Sequence, residues 1–467
     1  MNQRATMIGI LSVILLYFCF ALMHVYMLGI YKPGDERRHA KYAVVIESDG
    51  RLPTLRETRA ASHPPLYYGL VGKTVMRGVE SIDGIGVEVR RARVVSVIFG
   101  GIALIFAFLI IRLLLPRHPA LAVHATAIMA VIPSYANNCA VLGNDSLSLA
   151  SQFAMIYAAL LVLLRGPSWP RCLQLALYLS IAALTRVSGV LVMPVALLAV
   201  AVGVWWHVEG PRSRRVGLAV LIVGGLLGSV VLSSGWFYWR NVSASGDLTG
   251  QSAILEQVQN HPVRSPFAVL FDASKWLEIH DETWGRLAGM VNIGGALRMF
   301  ARLLTVISLV GAGVVLWQTR FWARIREWRT PRGFSWIIVA GVFANVFLSV
   351  FVYHARGGGL HQRYTFGALY VSTLLLALGF TWTKRNVVPI AGYCATFILC
   401  FSLQVTYAAR LVRKVKTFPI EQALTGHIKY PEASTLWLMV GLTVGFVGVI
   451  YALARLHRPL VGDTNPH

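Results

Sequence analysis

The sequence predicts an all-α polytopic membrane protein of about twelve transmembrane helices, with interfacial helices in its first outer loop. Three observations carry this. Apolar residues make up 56% of the chain. Charged residues are only 13%, where soluble domains carry about 25%. The apolar residues also fall into long runs separated by short polar loops.

Met7 to about Ile30 is long enough to span and lacks a small-residue cleavage site, which makes it an uncleaved first helix. Residues 31–93 are polar and hold two amphipathic pieces, Arg37–Glu47 and Leu66–Arg77, of the kind that lie in a membrane interface. Spans follow at Val94–Leu115, Ala120–Ile132, Leu147–Leu164, Cys172–Leu184, Val187–Val204 and Val216–Ser233. Cys172–Leu184 is too short to cross a core of about 30 Å alone, which leaves Arg186 and Ser188 at or under the membrane face. The remaining spans are Ile293–Trp317, Phe334–Val352, Tyr364–Phe380, Val387–Ala408 and Leu436–Leu453. The chain reads as a single membrane domain over 1–467, with no separate soluble C-terminal domain.

The short loops on the N-terminal side hold most of the short-loop arginines and lysines, among them Arg112, Arg165, Arg212, Arg320, Arg324, Arg326, Lys384 and Arg385. The opposite short loops hold only Arg186, Arg356 and Arg363. By the positive-inside rule both termini are cytoplasmic and the 31–93 loop is outside. The formal net charge of +23 suits anionic headgroups or a phospholipid-like substrate. No aromatic-interleaved basic module of a nucleic-acid binder is evident. The five cysteines show neither metal spacing nor a disulfide framework.

Chemistry concentrates in Pro33-Gly34-Asp35-Glu36-Arg37-Arg38-His39. A helix starting at Asp35 would place Asp35, His39 and Tyr42 on one face. A carboxylate and an imidazole on one face are acid/base material. Asp35 is equally placed to cap that helix, and the two roles are compatible. Further polar clusters on the outer side are His63-Pro64-Pro65-Leu66-Tyr67-Tyr68, Asn144-Asp145, Arg186, Arg240-Asn241 with Asp247, and His361-Gln362-Arg363-Tyr364. Singly each has a plain structural reading as a cap, a turn or an interfacial anchor. Their convergence on one face points to chemistry there.

These residues give the chain its resemblance to the GT-C class of membrane glycosyltransferases, in the protein mannosyltransferase and lipid A aminoarabinose transferase branch. The resemblance rests on Gly34–His39, Gly50–Pro53, His63–Tyr68, Asn144-Asp145, Leu184–Gly189, Arg240-Asn241, Gly246-Asp247 and Gln362–Tyr364, and runs to about Gly379. It implies an inverting transfer of a sugar from a polyprenyl-phosphate donor to a hydroxyl of a glycan, lipid or protein. Asp35 would be the base and Glu36 the second acid. Arg37, His39, Tyr42, His63, Tyr67, Asn144, Asp145, Arg186, Arg240, His361, Arg363 and Tyr364 are the candidates for holding substrate and donor phosphate. Many relatives carry Lys where this chain has Arg186, and arginine keeps the charge without serving as a base. A divalent metal at Asp35 and Glu36 is a candidate cofactor. The expected setting is a bacterial inner membrane with the site facing outward. A transporter or lipid flippase, and an O-antigen ligase or polymerase, are the alternative readings. Transporters usually place polar sites near the midplane between repeated halves, and no internal repeat is evident here.

Overall fold

In the computed structural model, the described residues are 3–31, 33, 35–250, 252, 255, 263–285, 295–318, 329–381, 387–417 and 432–456. Gly34, Arg320, Arg324, Arg326, Lys384, Arg385 and the tail from 457 onward lie outside them. Among the described residues, each expected span falls largely on helix. The elements are α1 Gln3–Met27, α2 Glu36–Ser48, η1 Arg59–Ser62, α3 Leu66–Thr74, α4 Gly86–Leu114, α5 Pro119–Val131, α6 Pro133–Cys139 and α7 Asp145–Arg165. They continue as α8 Trp169–Thr185, α9 Val187–His207, α10 Arg212–Ser245, α11 Pro266–Leu270, α12 Ala273–Gly285, α13 Gly295–Gln318 and α14 Pro331–Ala355. The last are η2 Gln362–Ala368, α15 Leu369–Gly379, α16 Val387–Thr417 and α17 Glu432–Leu456. No strand occurs among the described residues.

Eight of these helices are long and apolar enough to cross a membrane, or nine with a bent pair counted as one span. These are counted among the described residues, where the other expected spans fall on shorter or broken helices. α5 and α6 bend by 68° at Pro133, whose ring lacks the amide that would continue the helix. α8 is 17 residues long and α15 only 11, the latter extended toward the loops by η2. α7 lies at the centre, packed on α4, α8 and α9, and α1 packs along α17.

The 31–93 loop folds on itself. α2 and α3 share a small core with the start of α4, built on Ala40, Tyr42, Val44, Tyr67, Tyr68, Val71, Val89 and Ala92. The two amphipathic pieces therefore bury their apolar sides against each other. Close approach is possible because position 72 is glycine: a Cβ there would stand 2.8 Å from the Ala43 carbonyl oxygen.

One ion pair anchors this loop to the bundle. Arg93 and Glu36 both have fully buried side chains, and their charged atoms are 2.6 Å apart. Arg93 also donates to the carbonyls of Val25, Leu28 and Gly29, which end α1. Glu36 accepts the backbone amides of Tyr31 and Leu142. A carboxylate and a guanidinium with all these partners tolerate burial that either would not tolerate alone.

Candidate active site

A cavity of about 940 Å³ opens where the first loop meets the ends of α7, α9 and α14. Asp35, His39, His63, Asn144, Asp145, Arg186, His361, Arg363 and Tyr364 line it. Breaks in helices aim these side chains. Arg186 is extended, at φ −164° and ψ 147°, and ends α8 while starting α9. The junction is held by Asn144, whose side-chain amide donates to the Thr185 carbonyl at 2.7 Å. Gly357, at φ 93°, turns the chain beyond α14 toward η2, which carries Arg363 and Tyr364.

The charges interlock. One oxygen of Asp35 accepts from Arg363 Nη2 at 2.8 Å and the other from Arg38 Nη1 at 2.9 Å. Asp145 pairs with Arg186, and its second oxygen lies 3.8 Å from Arg363 Nη1. The ring of Tyr364 faces both guanidiniums, 5.7 Å from Arg186 and 5.3 Å from Arg363. Two arginines that would repel each other are thus held by two carboxylates and one aromatic face.

Burial works to raise the Asp35 pKa, but the guanidiniums of Arg363 and Arg38 outweigh it and hold the carboxyl well below the usual range. Burial pushes His39 down to about 4 against the pull of Asp35. Its Nδ1 is 2.7 Å from the Tyr68 hydroxyl, and its ring stacks on His63. His63 is likewise pushed well below its ordinary value by burial.

Five expected site residues do not reach the cavity. Glu36 is not a second acid beside Asp35: its carboxylate is consumed by Arg93 inside the protein. Arg37 points to solvent, 3.6 Å from Asp83 with both side chains exposed. Tyr42 is buried and donates to the His63 carbonyl, so it supports the loop from behind. Tyr67 is bonded to Ser96 and accepts from the Gly143 amide. Arg240 donates to the Pro53 carbonyl and ties the first loop to α10. The Glu36 carboxylate, facing Arg93, is turned away from Asp35, so the two do not present one pair of carboxylates to the cavity. No group of three or more His, Cys, Asp or Glu suited to a metal occurs among the described residues.

Several lining residues were not among the expected site residues: Arg38, Arg59, Gln152, Ser188, Asn345 and Tyr353. Gln152 and Asn345 did carry a signal, as lone amides inside apolar runs. Glu282 on α12 was also missed. It is buried and accepts the Gln362 amide at 3.1 Å, at the start of the turn that presents Arg363.

Fold and cavity together define a polytopic, all-helical integral membrane protein with a charged site at the helix ends. Residues 63–239 match the family model described as dolichyl-phosphate-mannose-protein mannosyltransferase. The match covers well under half of the chain. It includes His63, Asn144, Asp145 and Arg186 and leaves Asp35 and Arg363 outside. Among solved structures, the chain is similar to ArnT from Cupriavidus metallidurans bound to undecaprenyl phosphate, at 11% identity and a TM-score of 0.47, over 97% of this chain and 77% of that one. It is similar to an Archaeoglobus fulgidus oligosaccharyltransferase in complex with zinc and sulfate, at 12% identity and 0.46, over 85% and 53%. It is also similar to AglB from Archaeoglobus fulgidus with an inhibitory peptide and a dolichol-phosphate, at 11% and 0.43, over 98% and 56%. The chain thus spans little more than half the length of the two archaeal chains. Overlaps this loose carry no residue-by-residue correspondence. No curated protein matches the sequence.

Proposed function

We propose that the protein is an inverting glycosyltransferase that moves a sugar from a polyprenyl-phosphate donor to an acceptor hydroxyl at the outer membrane face. The observation that carries this is the pairing of Asp35 with Arg363 in the wall of the cavity. It puts a carboxylate base beside a guanidinium fork suited to phosphate.

Arg363 and Arg186 bind the lipid phosphate. The prenyl chain lies along the apolar side of the cavity between α9 and α14, where Leu191 and Leu348 are both lining and exposed. The acceptor is a glycan, a lipid or a protein and enters from the loop side, past Arg38 and Arg59. Asp35 in its arginine clasp is a weak base. A phosphate competes for Arg363, and as that guanidinium turns to the phosphate the carboxylate becomes more basic. Asp35 then takes the acceptor hydroxyl proton while the oxygen attacks the anomeric carbon. The bond from that carbon to the phosphate oxygen breaks with its electron pair, and the arginines stabilise the charge that gathers there.

The test is transfer from a polyprenyl-phosphate sugar in proteoliposomes. Asp35→Asn is nearly isosteric and caps a helix about as well. It should lose about 10²–10⁴-fold in rate, the usual contribution of a general base, with thermal stability kept. Turnover within about threefold of the parent, far short of that contribution, would remove Asp35 from the chemistry.

A further inference from the structure

The cavity does not end at the arginines. Ser148 and Gln152 follow Asp145 along one face of α7, and Asn345 and Ser349 lie along α14 inward from Tyr353. From Asp145 to Gln152 is about 10 Å along the helix, and from Arg356 to Asn345 about 16 Å, at 1.5 Å per residue. Both stripes therefore run well inside long apolar helices. Ser188, on the first turn of α9, lies against the α7 stripe.

This inner part is polar and uncharged. The Gln152 amide nitrogen is 2.8 Å from the Ser148 hydroxyl and 3.2 Å from that of Ser188. The two hydroxyls are 3.2 Å apart. Asn345 Oδ1 is buried and has no hydrogen-bond partner among the described residues. Gly367 keeps the space open, since a Cβ there would stand 2.8 Å from Gln152 Oε1. Polar groups at such positions are costly and mark a functional path. An isoprenoid chain packed here would leave the Asn345 oxygen unpaired and give Gln152, Ser148 and Ser188 nothing beyond one another, a cost for buried polar groups. Hydroxyls would satisfy them, because each can both donate and accept.

We infer that this inner cleft between α7 and α14 binds the sugar of the donor, and that it selects a neutral, hydroxyl-rich sugar over an amino or acid sugar. The inference rests on the proposed glycosyl transfer. Among the described residues, Asp35 is held by Arg363 and Arg38 and Asp145 by Arg186, while the third carboxylate of the cavity, Asp247, belongs to the loop after α10 and accepts from Thr249 and Ser252, away from the inner stripes. No arginine or lysine lines the inner stripes to meet a carboxylate. The sugar then sits inside, the acceptor outside, and Asp35 at the boundary between them.

The experiment is equilibrium binding to the purified full chain in nanodiscs, with four probes: undecaprenyl phosphate, its mannosyl and glucosyl esters, and its 4-amino-arabinosyl ester. The parent should bind at least one neutral ester about tenfold or more tighter than undecaprenyl phosphate, as a few new hydrogen bonds give. Gln152→Leu and Asn345→Leu should each cut that gap to within about threefold, the loss of one or two such bonds. Both should bind undecaprenyl phosphate as the parent does, which also reports that they fold. Asn345→Asp, nearly isosteric, should shift preference toward the amino-sugar ester. Parent-like discrimination in all three variants overturns the inference, as does a parent that prefers the amino-sugar ester or ignores the sugar. Those outcomes leave the donor reading standing if Arg363→Ala still weakens binding of all four lipids. If undecaprenyl phosphate itself does not bind the parent, both readings fall.

Discussion

Asp35 and Arg363 stand 328 positions apart in the chain and 2.8 Å apart in space. This pair joins the first loop to the turn beyond α14, and the charge of the carboxylate depends on it. Arg363 holds Asp35 ionised well below the ordinary carboxylate range. The acid limb of the parent's kcat/KM profile, which reports groups of the free enzyme, should therefore not come from Asp35. In Arg363→Gln the carboxyl returns toward the usual value of about 4. Residual transfer in that variant should fall off at a higher pH than in the parent. Coincident acid limbs would mean that the pair does not set the base.

The adjacent acid should behave oppositely. Glu36→Gln leaves Arg93 as a buried, unbalanced charge, and breaking such a pair typically costs about 3–5 kcal/mol. A large drop in thermal midpoint is expected, against little change for Asp35→Asn. Equal midpoints for the two variants would contradict the assignment of Glu36 to the scaffold.

Glu282 positions rather than reacts. Glu282→Ala removes the acceptor for the Gln362 amide and should loosen the turn carrying Arg363, raising KM for the lipid donor several-fold. Glu282→Gln keeps an acceptor oxygen and should restore most of it. A KM that does not respond to either substitution would separate α12 from donor binding.

The buried imidazoles make a prediction about acid stability. His39 is lowered to about 4 by burial, and His63 moves in the same direction. An unfolded histidine titrates near 6.5. Below that value the unfolded chain binds protons that the folded one refuses, so stability is lost as pH falls from about 6.5 toward 4. The thermal midpoint should drop from pH 7 to pH 5, and His39→Asn should flatten the drop. A parent whose midpoint is level over that range would show that these rings are not held neutral.

Orientation is open to direct labelling. Ser48 is exposed at the end of α2 and avoids the left-handed backbone of Gly50. Ser48→Cys should react with an impermeant maleimide in intact cells. Reaction only after permeabilisation would put the site on the other face.

The spans were legible because a run of apolar residues constrains itself; no tertiary information is needed to see α4 or α14. The helix breaks that aim Arg186 and Arg363 were visible too, as a short span and a glycine turn. What could not be read was which neighbour each polar side chain meets. Asp35 and Glu36 are indistinguishable by local pattern, and their fates divide on Arg93, which the sequence offers only as one more basic residue at a span end. Tyr42 shares the expected helix face with Asp35 and His39, yet the chain at His63 passes over it and takes its hydroxyl.

The Glu36–Arg93 clamp also bears on how the chain is made. α4 must enter the bilayer with a guanidinium in its N-terminal part, and that charge pulls toward water until something inside neutralises it. The partners come from two earlier stretches, the carbonyls ending α1 and the first residue of α2. The clamp can close only when both spans have inserted in the same register and the intervening loop has folded back. Closing it also fixes Asp35, one residue away. A chain in which the clamp stays open is thus left without a placed Asp35, so the fold of the first loop and the make-up of the cavity are settled together.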